Sequence, residues 1–277
     1  MTLCHWVRLL SLCAALAAGT VWASPESDRQ AMQDYFRARF PGIPLEEYLH
    51  GALMLSRDAK EQYDSIMEFP PFQGDIDRGR KLWETPFKNG GTFAGCFRNG
   101  GRGAAADYPY FDERQGRVVT FEMALNFCLR DNGEKAFDYG DRDSMGVLTA
   151  YARSLSDGIR INVRVGSPAA RQRYEQGKAF YYRRIGQLNL ACASCHVAHA
   201  GHYFRDELLS PAVGQPAHFP VFRAGENLHT LHMRYQRCME AMRAVPFPAG
   251  SEALNNLEFF HSYLSNGVPL RASVYRK

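Results

Sequence analysis

Cys192-Ala193-Ser194-Cys195-His196 is the stretch on which the reading of this chain turns. Cys-x-x-Cys-His is the attachment signature of a c-type haem. The two thiols add across the haem vinyl groups as thioethers, and the histidine that follows is held under the iron as proximal ligand. This spacing lets one turn of helix present all three groups to the same edge of the macrocycle. A disulfide or a zinc half-site is the competing reading, and zinc would need further ligands, for which His199 and His202 can be offered. A helix expected from Tyr174 to Arg184 leads into the motif in the manner of a cytochrome c, and this favours haem.

Outward from the motif, helical signals dominate. Ser27 can cap a helix that runs to Arg39 and is stopped by Pro41-Gly42. Pro44 can open another, with Leu45, Tyr48, Leu49 and Ala52 along one face. Further helices are expected at Asp75 to Glu84, Phe121 to Arg130, Ser144 to Ser156 and Leu228 to Arg243. No long alternating run suggests a sheet. A weak internal duplication is also visible. Gly79-Arg80-Lys81-Leu82-Trp83 resembles Gly177-Lys178-Ala179-Phe180-Tyr181, and Ser154-Leu155-Ser156-Asp157-Gly158 resembles Tyr263-Leu264-Ser265-Asn266-Gly267. Two pairs in the same order imply a mainly α protein of two tandem cytochrome c-like domains, the N-terminal one without haem. The expected divisions are a signal peptide at 1–23, a haem-free domain at 24–162 and a haem-binding domain at 163–277.

The signal peptide is read from Arg8, the apolar run Leu9 to Ala18 and the small-x-small site Val21-Trp22-Ala23. The run is too short to span a bilayer, and nothing else approaches a membrane span. The formal net charge of +4 is mild and its basic residues are scattered, which argues against nucleic acid as a partner. Export to the periplasm makes disulfides possible. After processing five cysteines remain: Cys96, Cys128, Cys192, Cys195 and Cys238. Cys192 and Cys195 belong to the motif, and Cys96 and Cys128 can pair. Cys238 is left over. It stands on an expected helix with Arg234 four residues earlier on the same face, and a guanidinium there would favour thiolate, an established haem ligand type. A buried apolar cysteine is the alternative, and the residues alone leave both open. His199, His202, His218, His229, His232, Met233, Met239, Met242 and His261 are further candidates for the second axial position.

Several blocks carry a resemblance to a known family. These are Ser154 to Val163, Arg183 to His196 (including Gln187-Leu188-Asn189-Leu190 before the motif), Leu228 to Cys238 with its Arg-x-x-x-Cys element, and Leu257 to Pro269. Together they resemble the SoxA subunit of the SoxAX cytochromes, which act in bacterial thiosulfate oxidation. The resemblance implies one covalently bound haem c, ligated by His196 and by Cys238, the latter carrying an extra sulfur as persulfide. It implies that Arg234 belongs to the active site; on charge grounds Arg234 and Arg237 would hold the thiosulfate dianion. It identifies the chain with the single-haem type, in which two cysteines, here Cys96 and Cys128, form a disulfide in the haem-free half. The implied activity is that of an L-cysteine S-thiosulfotransferase, which joins thiosulfate to a cysteine of the SoxYZ carrier. Electrons would leave through haem to a small SoxX-type cytochrome c in a heterodimer. A plain electron-transfer cytochrome, or a thiosulfate dehydrogenase that makes tetrathionate without a carrier, is the rival reading. An assay with and without the carrier separates them.

Because only one Cys-x-x-Cys-His is present, the processed chain is expected to carry one haem. Intact mass spectrometry should exceed the chain from Ser24 by a single haem, and a two-haem mass would refute the count.

Overall fold

A computed structural model describes residues 24–223 and 227–276. The expected signal peptide lies outside the described residues. The chain opens with α1 (Pro25–Arg39), a 3-10 segment (Leu45–Leu55), α2 (Arg57–Glu68), α3 (Gln73–Glu84) and α4 (Phe93–Cys96). A hairpin of β1 (Tyr110–Asp112) and β2 (Arg117–Val119) leads to α5 (Phe121–Asp131). A π-turn (Arg142–Gly146) then runs into α6 (Val147–Ser154). The second half holds α7 (Pro168–Tyr182), the hairpin β3 (Tyr203–Phe204) and β4 (Glu207–Leu208), then β5 (Val221–Arg223) and β6 (Asn227–His229). It closes with α8 (Leu231–Ala241), α9 (Glu252–Leu264) and β7 (Val274–Arg276). The protein is mainly α, as expected. β5 pairs antiparallel with β6 and parallel with β7, in the order β6-β5-β7.

Local chemistry moves several predicted boundaries. Ser24, not Ser27, caps α1 by accepting from the Ser27 N–H, and Pro25 sits in the first turn where its missing N–H costs nothing. The helix expected from Leu228 begins only at Leu231: Leu228 and His229 pair with β5, and the Thr230 hydroxyl caps the helix by accepting from the Met233 N–H. Gly51, at φ 58°, kinks the segment that Pro44 opens. The helix before the haem motif begins at Pro168, capped by Ser167.

The duplication is real in three dimensions. In the first half α3 crosses α6 at Gly79, where a Cβ would lie 2.0 Å from the Val147 carbonyl oxygen. In the second half α7 crosses α9 at Gly177, where a Cβ would lie 1.9 Å from the Asn256 carbonyl oxygen. Any side chain at either position would force the helices apart. Thr120 caps α5 as Thr230 caps α8, and the eighth residue after each cap is a cysteine, Cys128 and Cys238. The segments that close the two halves pair with each other. Gly158 N–H donates to Leu270 O and Leu270 N–H to Ile159 O, while Ile161 N–H donates to Val268 O and Gly267 N–H to Ile161 O. Equivalent stretches running antiparallel relate the halves by an approximate two-fold.

One continuous apolar core runs through both halves, from Trp83, Phe93 and Leu148 to Tyr174, Leu257 and Phe260. The N-terminal arm belongs to the second half in space. Asp28 meets Lys178 Nζ at 2.6 Å, Gln33 donates to Leu264 O, and Arg39 donates to Ala200 O. Packing thus groups residues 25–68 with the haem-motif half, across the chain-order division at 162.

Gly177→Ala should destabilise the protein by about 1–3 kcal/mol through overpacking, read as a lower denaturation midpoint. Gly95→Ala is the control, since nothing lies within 4 Å of its Cβ position, and it should be neutral or slightly stabilising. Equal midpoints for the two variants would remove the close crossing as a structural requirement.

Candidate functional site

Three free cysteines converge in the second half. Cys192, Cys195 and Cys238 are each half-buried and unpaired, whereas Cys96 and Cys128 are bridged, with Cα atoms 5.8 Å apart. Cys96 follows the first helix of its half as the haem motif follows α7, and Cys128 matches Cys238. The disulfide therefore joins the two structural positions that remain open thiols in the second half. Burial pushes the Cys192 thiol up to about 12, helped by its neighbours Cys238 and Cys195. Cys195 is raised in the same way, by burial and by Cys238. Both stay protonated and are not autonomous nucleophiles.

His196 is held in one tautomer. Its Nδ1 lies 2.9 Å from the Ser210 carbonyl, a group that only accepts, so Nδ1 carries the proton and Nε2 keeps its lone pair for a metal. The Gln215 amide nitrogen lies 2.7 Å from the same atom and donates to Ser210 Oγ; with the Nδ1 proton directed at the Ser210 carbonyl it makes no hydrogen bond to the ring. Burial lowers the His196 pKa to about 4, which keeps the ring neutral. The Tyr181 hydroxyl is buried without a hydrogen-bond partner among the described residues, and the three thiols all bear on its titration. Two attaching thiols, a neutral imidazole with a free Nε2 and an unpartnered hydroxyl beside them fit a covalently held haem. Zinc is poorly served: among the described residues no group of three His, Cys, Asp or Glu is placed to hold a metal ion. His199 and His202 stand on an exposed loop with ring centroids 6.0 Å apart.

A relay of hydrogen bonds joins this segment to α8. Ala212 N–H donates to His196 O, and His261 Nε2–H donates to Ala212 O at 2.9 Å. The Tyr235 hydroxyl then donates to His261 Nδ1 at 2.9 Å. Tyr235 lies three residues before Cys238, so the spacing between α8 and the motif is set by side chains in the core. Several of the other candidate axial residues are hydrogen-bonded elsewhere or packed in the core. His218 Nδ1 is bound to Leu49 O, His232 accepts from Gly250 N–H and faces Glu258, and Met233, Met239 and Met242 are buried in the protein interior.

Arg234 lies where the sequence expects it, one turn from Cys238. Of the influences on its guanidinium Cys238 is the largest, and it raises the Arg234 pKa. Arg234 also meets Glu207 Oε2 at 3.3 Å, and Glu207 Oε1 meets Arg223 at 2.7 Å. Arg237 is mostly exposed and pairs with Glu240 at 2.7 Å, away from this arrangement. Glu207, Arg223, Ser210, Tyr181 and Tyr235 were not singled out from sequence. The equal Thr-to-Cys spacing in α5 and α8 was the available signal for the matching cysteine positions.

Comparison with known proteins agrees with this geometry. Residues 78–161 match the family model described as SoxA/TsdA, cytochrome c domain, which falls on the half that lacks the haem motif. The L-cysteine S-thiosulfotransferase subunit SoxA of Chlorobaculum tepidum is 42% identical over 91% of this chain and 88% of its own length. The same subunit of Allochromatium vinosum is 40% identical over 95% of both chains. The crystal structure of SoxXA from P. pantotrophus superposes with a TM-score of 0.71 at 29% identity, covering 78% of this chain and 84% of that one. Among the described residues no helix is long and apolar enough to cross a membrane.

The buried histidines predict a pH dependence of stability. Burial lowers His50 and His229 to about 4 and His261 to about 3, all below the unfolded value near 6.5. Below that value the unfolded chain binds more protons than the folded one, so stability is full above about pH 6.5 and falls as pH drops towards 4. The urea midpoint should be lower at pH 5 than at pH 7, and His261→Gln should flatten that slope.

Proposed function

The chain belongs to the SoxA family of L-cysteine S-thiosulfotransferase subunits, and we propose that it oxidatively joins thiosulfate to a cysteine thiol of a SoxYZ carrier in the periplasm. The observation that carries this reading is the placement of Cys238 and Arg234 together on α8, against the Cys192-Cys195-His196 segment. The net change is carrier thiol plus thiosulfate giving the carrier S-thiosulfonate, one proton and two electrons. One sulfur–sulfur bond forms and one S–H bond breaks.

In this reading Cys192 and Cys195 would attach a single haem c, and His196 and Cys238 would be the side chains that hold its iron. Bound haem c supplies a one-electron acceptor beside the sulfur chemistry. Ser210 keeps His196 in the tautomer that leaves Nε2 available. Cys238 is the sulfur relay, and Arg234 holds the dianion and favours anionic sulfur next to it. Tyr181 and Tyr235 are buried beside this sulfur, and burial raises both hydroxyl pKa values. Two electrons exceed what one haem would accept, so a SoxX-type partner would be needed to take the second. Residues 24–162 form the haem-free division and 163–277 the haem-bearing one, with the arm 25–68 strapped across the latter.

The test is Cys238→Met. Methionine still ligates iron as a neutral thioether but holds no transferable sulfur. The variant should keep its haem, shift its potential upward and lose conjugation of thiosulfate to the carrier, measured by mass shift of the carrier cysteine. Arg234→Ala should lose activity that high thiosulfate partly restores. Near-normal conjugation by Cys238→Met would overturn the relay and leave a plain electron carrier.

A further inference from the structure

One buried polar group lies beside this site and takes no part in the sulfur chemistry above. His229, on β6, is 7% exposed, and its Nδ1 has no hydrogen-bond partner among the described residues. The register of the ribbon fixes its company. Val221 pairs with His229 and Arg223 with Asn227. Side chains alternate along a strand, so Arg223 and His229 share one face of the ribbon as diagonal neighbours. The other face carries Phe222 and Leu228, which pack with Phe72, Val147 and Ala150 of the haem-free half. Glu207 extends the cluster from Arg223 to Arg234, and one carboxylate facing two guanidiniums leaves that pair net positive.

The haem-free half adds a further charge. Its π-turn packs on β6, where a Cβ at Gly146 would lie 2.4 Å from Leu228 Cδ2. Of the charges bearing on the His229 ring, Arg142 of that turn is the largest, ahead of Arg223, Arg234 and Arg237. A neutral imidazole with an unused buried nitrogen, set among guanidiniums, is suited to a small oxyanion rather than a cation.

Distance decides what this cluster can be. Thr230 caps α8 and Cys238 lies eight residues on, about 12 Å along the helix axis, with Arg234 midway. A thiosulfate ion is too short to touch His229 and Cys238 together. We infer that His229, Arg223 and Arg142 form an outer oxyanion station, distinct from the sulfur relay, from which the substrate dianion passes by way of Arg234 to Cys238. The station lies where the two halves meet, and it gives the haem-free half a direct part in substrate capture. The identity of the anion rests on the reading above; the station itself does not.

The experiment uses the haem-loaded chain in complex with its small cytochrome partner. Binding of sulfate, an unreactive dianion, is measured by calorimetry, and conjugation of thiosulfate is measured separately. His229→Leu and Arg142→Gln should each weaken sulfate binding about tenfold, the size expected for losing one hydrogen bond or ion contact to a charged ligand. Both should lower kcat/KM for thiosulfate by a similar factor while kcat at saturation stays within about twofold. Arg142→Lys should restore most of the binding, and the salt dependence of kcat/KM should be shallower in Arg142→Gln. Haem spectrum and potential should not move. Arg142 is exposed, so its replacement tests the idea even if His229→Leu fails to fold. Unchanged sulfate affinity and unchanged kcat/KM in Arg142→Gln would overturn the station. If the unmutated complex binds sulfate at this place but conjugates no thiosulfate, the station stands and the sulfur-transfer reading fails.

Discussion

A neutral buried histidine holds the two sides of the site in register. His261 donates through Nε2 to Ala212 and accepts at Nδ1 from Tyr235, so one ring connects the loop behind His196 to the helix that bears Cys238. Both bonds need the uncharged imidazole: a doubly protonated ring could not accept from Tyr235. Burial lowers its pKa to about 3 and keeps that state across the physiological range. If this link were lost, α8 could shift against the haem segment, and the relation between His196, Cys238 and Arg234 would no longer be defined.

Around that link the molecule uses one architecture twice. Glycine at the crossing of the first and last helices, a threonine cap, a cysteine eight residues beyond it and a closing turn recur in each half. What differs is how the central cysteine is used. In the first half Cys128 closes on Cys96 and the aromatic side chains of Trp83, Phe93 and Phe97 pack against one another. In the second half the same position is an open thiol near Cys192 and Cys195 of the Cys-x-x-Cys-His motif. The half that lacks the haem motif is more than a support, because its π-turn and its apolar face reach the β5–β6 ribbon from which α8 springs.

Much of this could be read in the residues. The haem motif, Arg234 before Cys238 and the glycines repeated within the helices that open each repeat rest on chemistry local to a few positions, whereas the pairing of Cys96 with Cys128 came from the count of cysteines and the family resemblance. Glu207, Arg223 and Ser210 were not legible in the same way. They are ordinary polar residues on short loops and strands, and their roles come from which side chain lies opposite them. Arg237 shows the converse. Its sequence position near Cys238 suggests a substrate contact, yet the helix turns it outward to Glu240.

The sequence by itself determined the presence of a haem-attachment signature, the helical class, the internal repeat and the identity of the left-over cysteine. Spacing along the chain is sufficient for these, because a helical turn or a Cys-x-x-Cys-His run places its groups through bonded geometry alone. Tertiary structure alone decided that residues 25–68 wrap onto the second half, that Leu228 and His229 are strand and not helix, and that Glu207 bridges two arginines. Each of these depends on contacts between residues distant in the chain. Such contacts are set by how apolar faces of whole helices meet, and no local pattern encodes that.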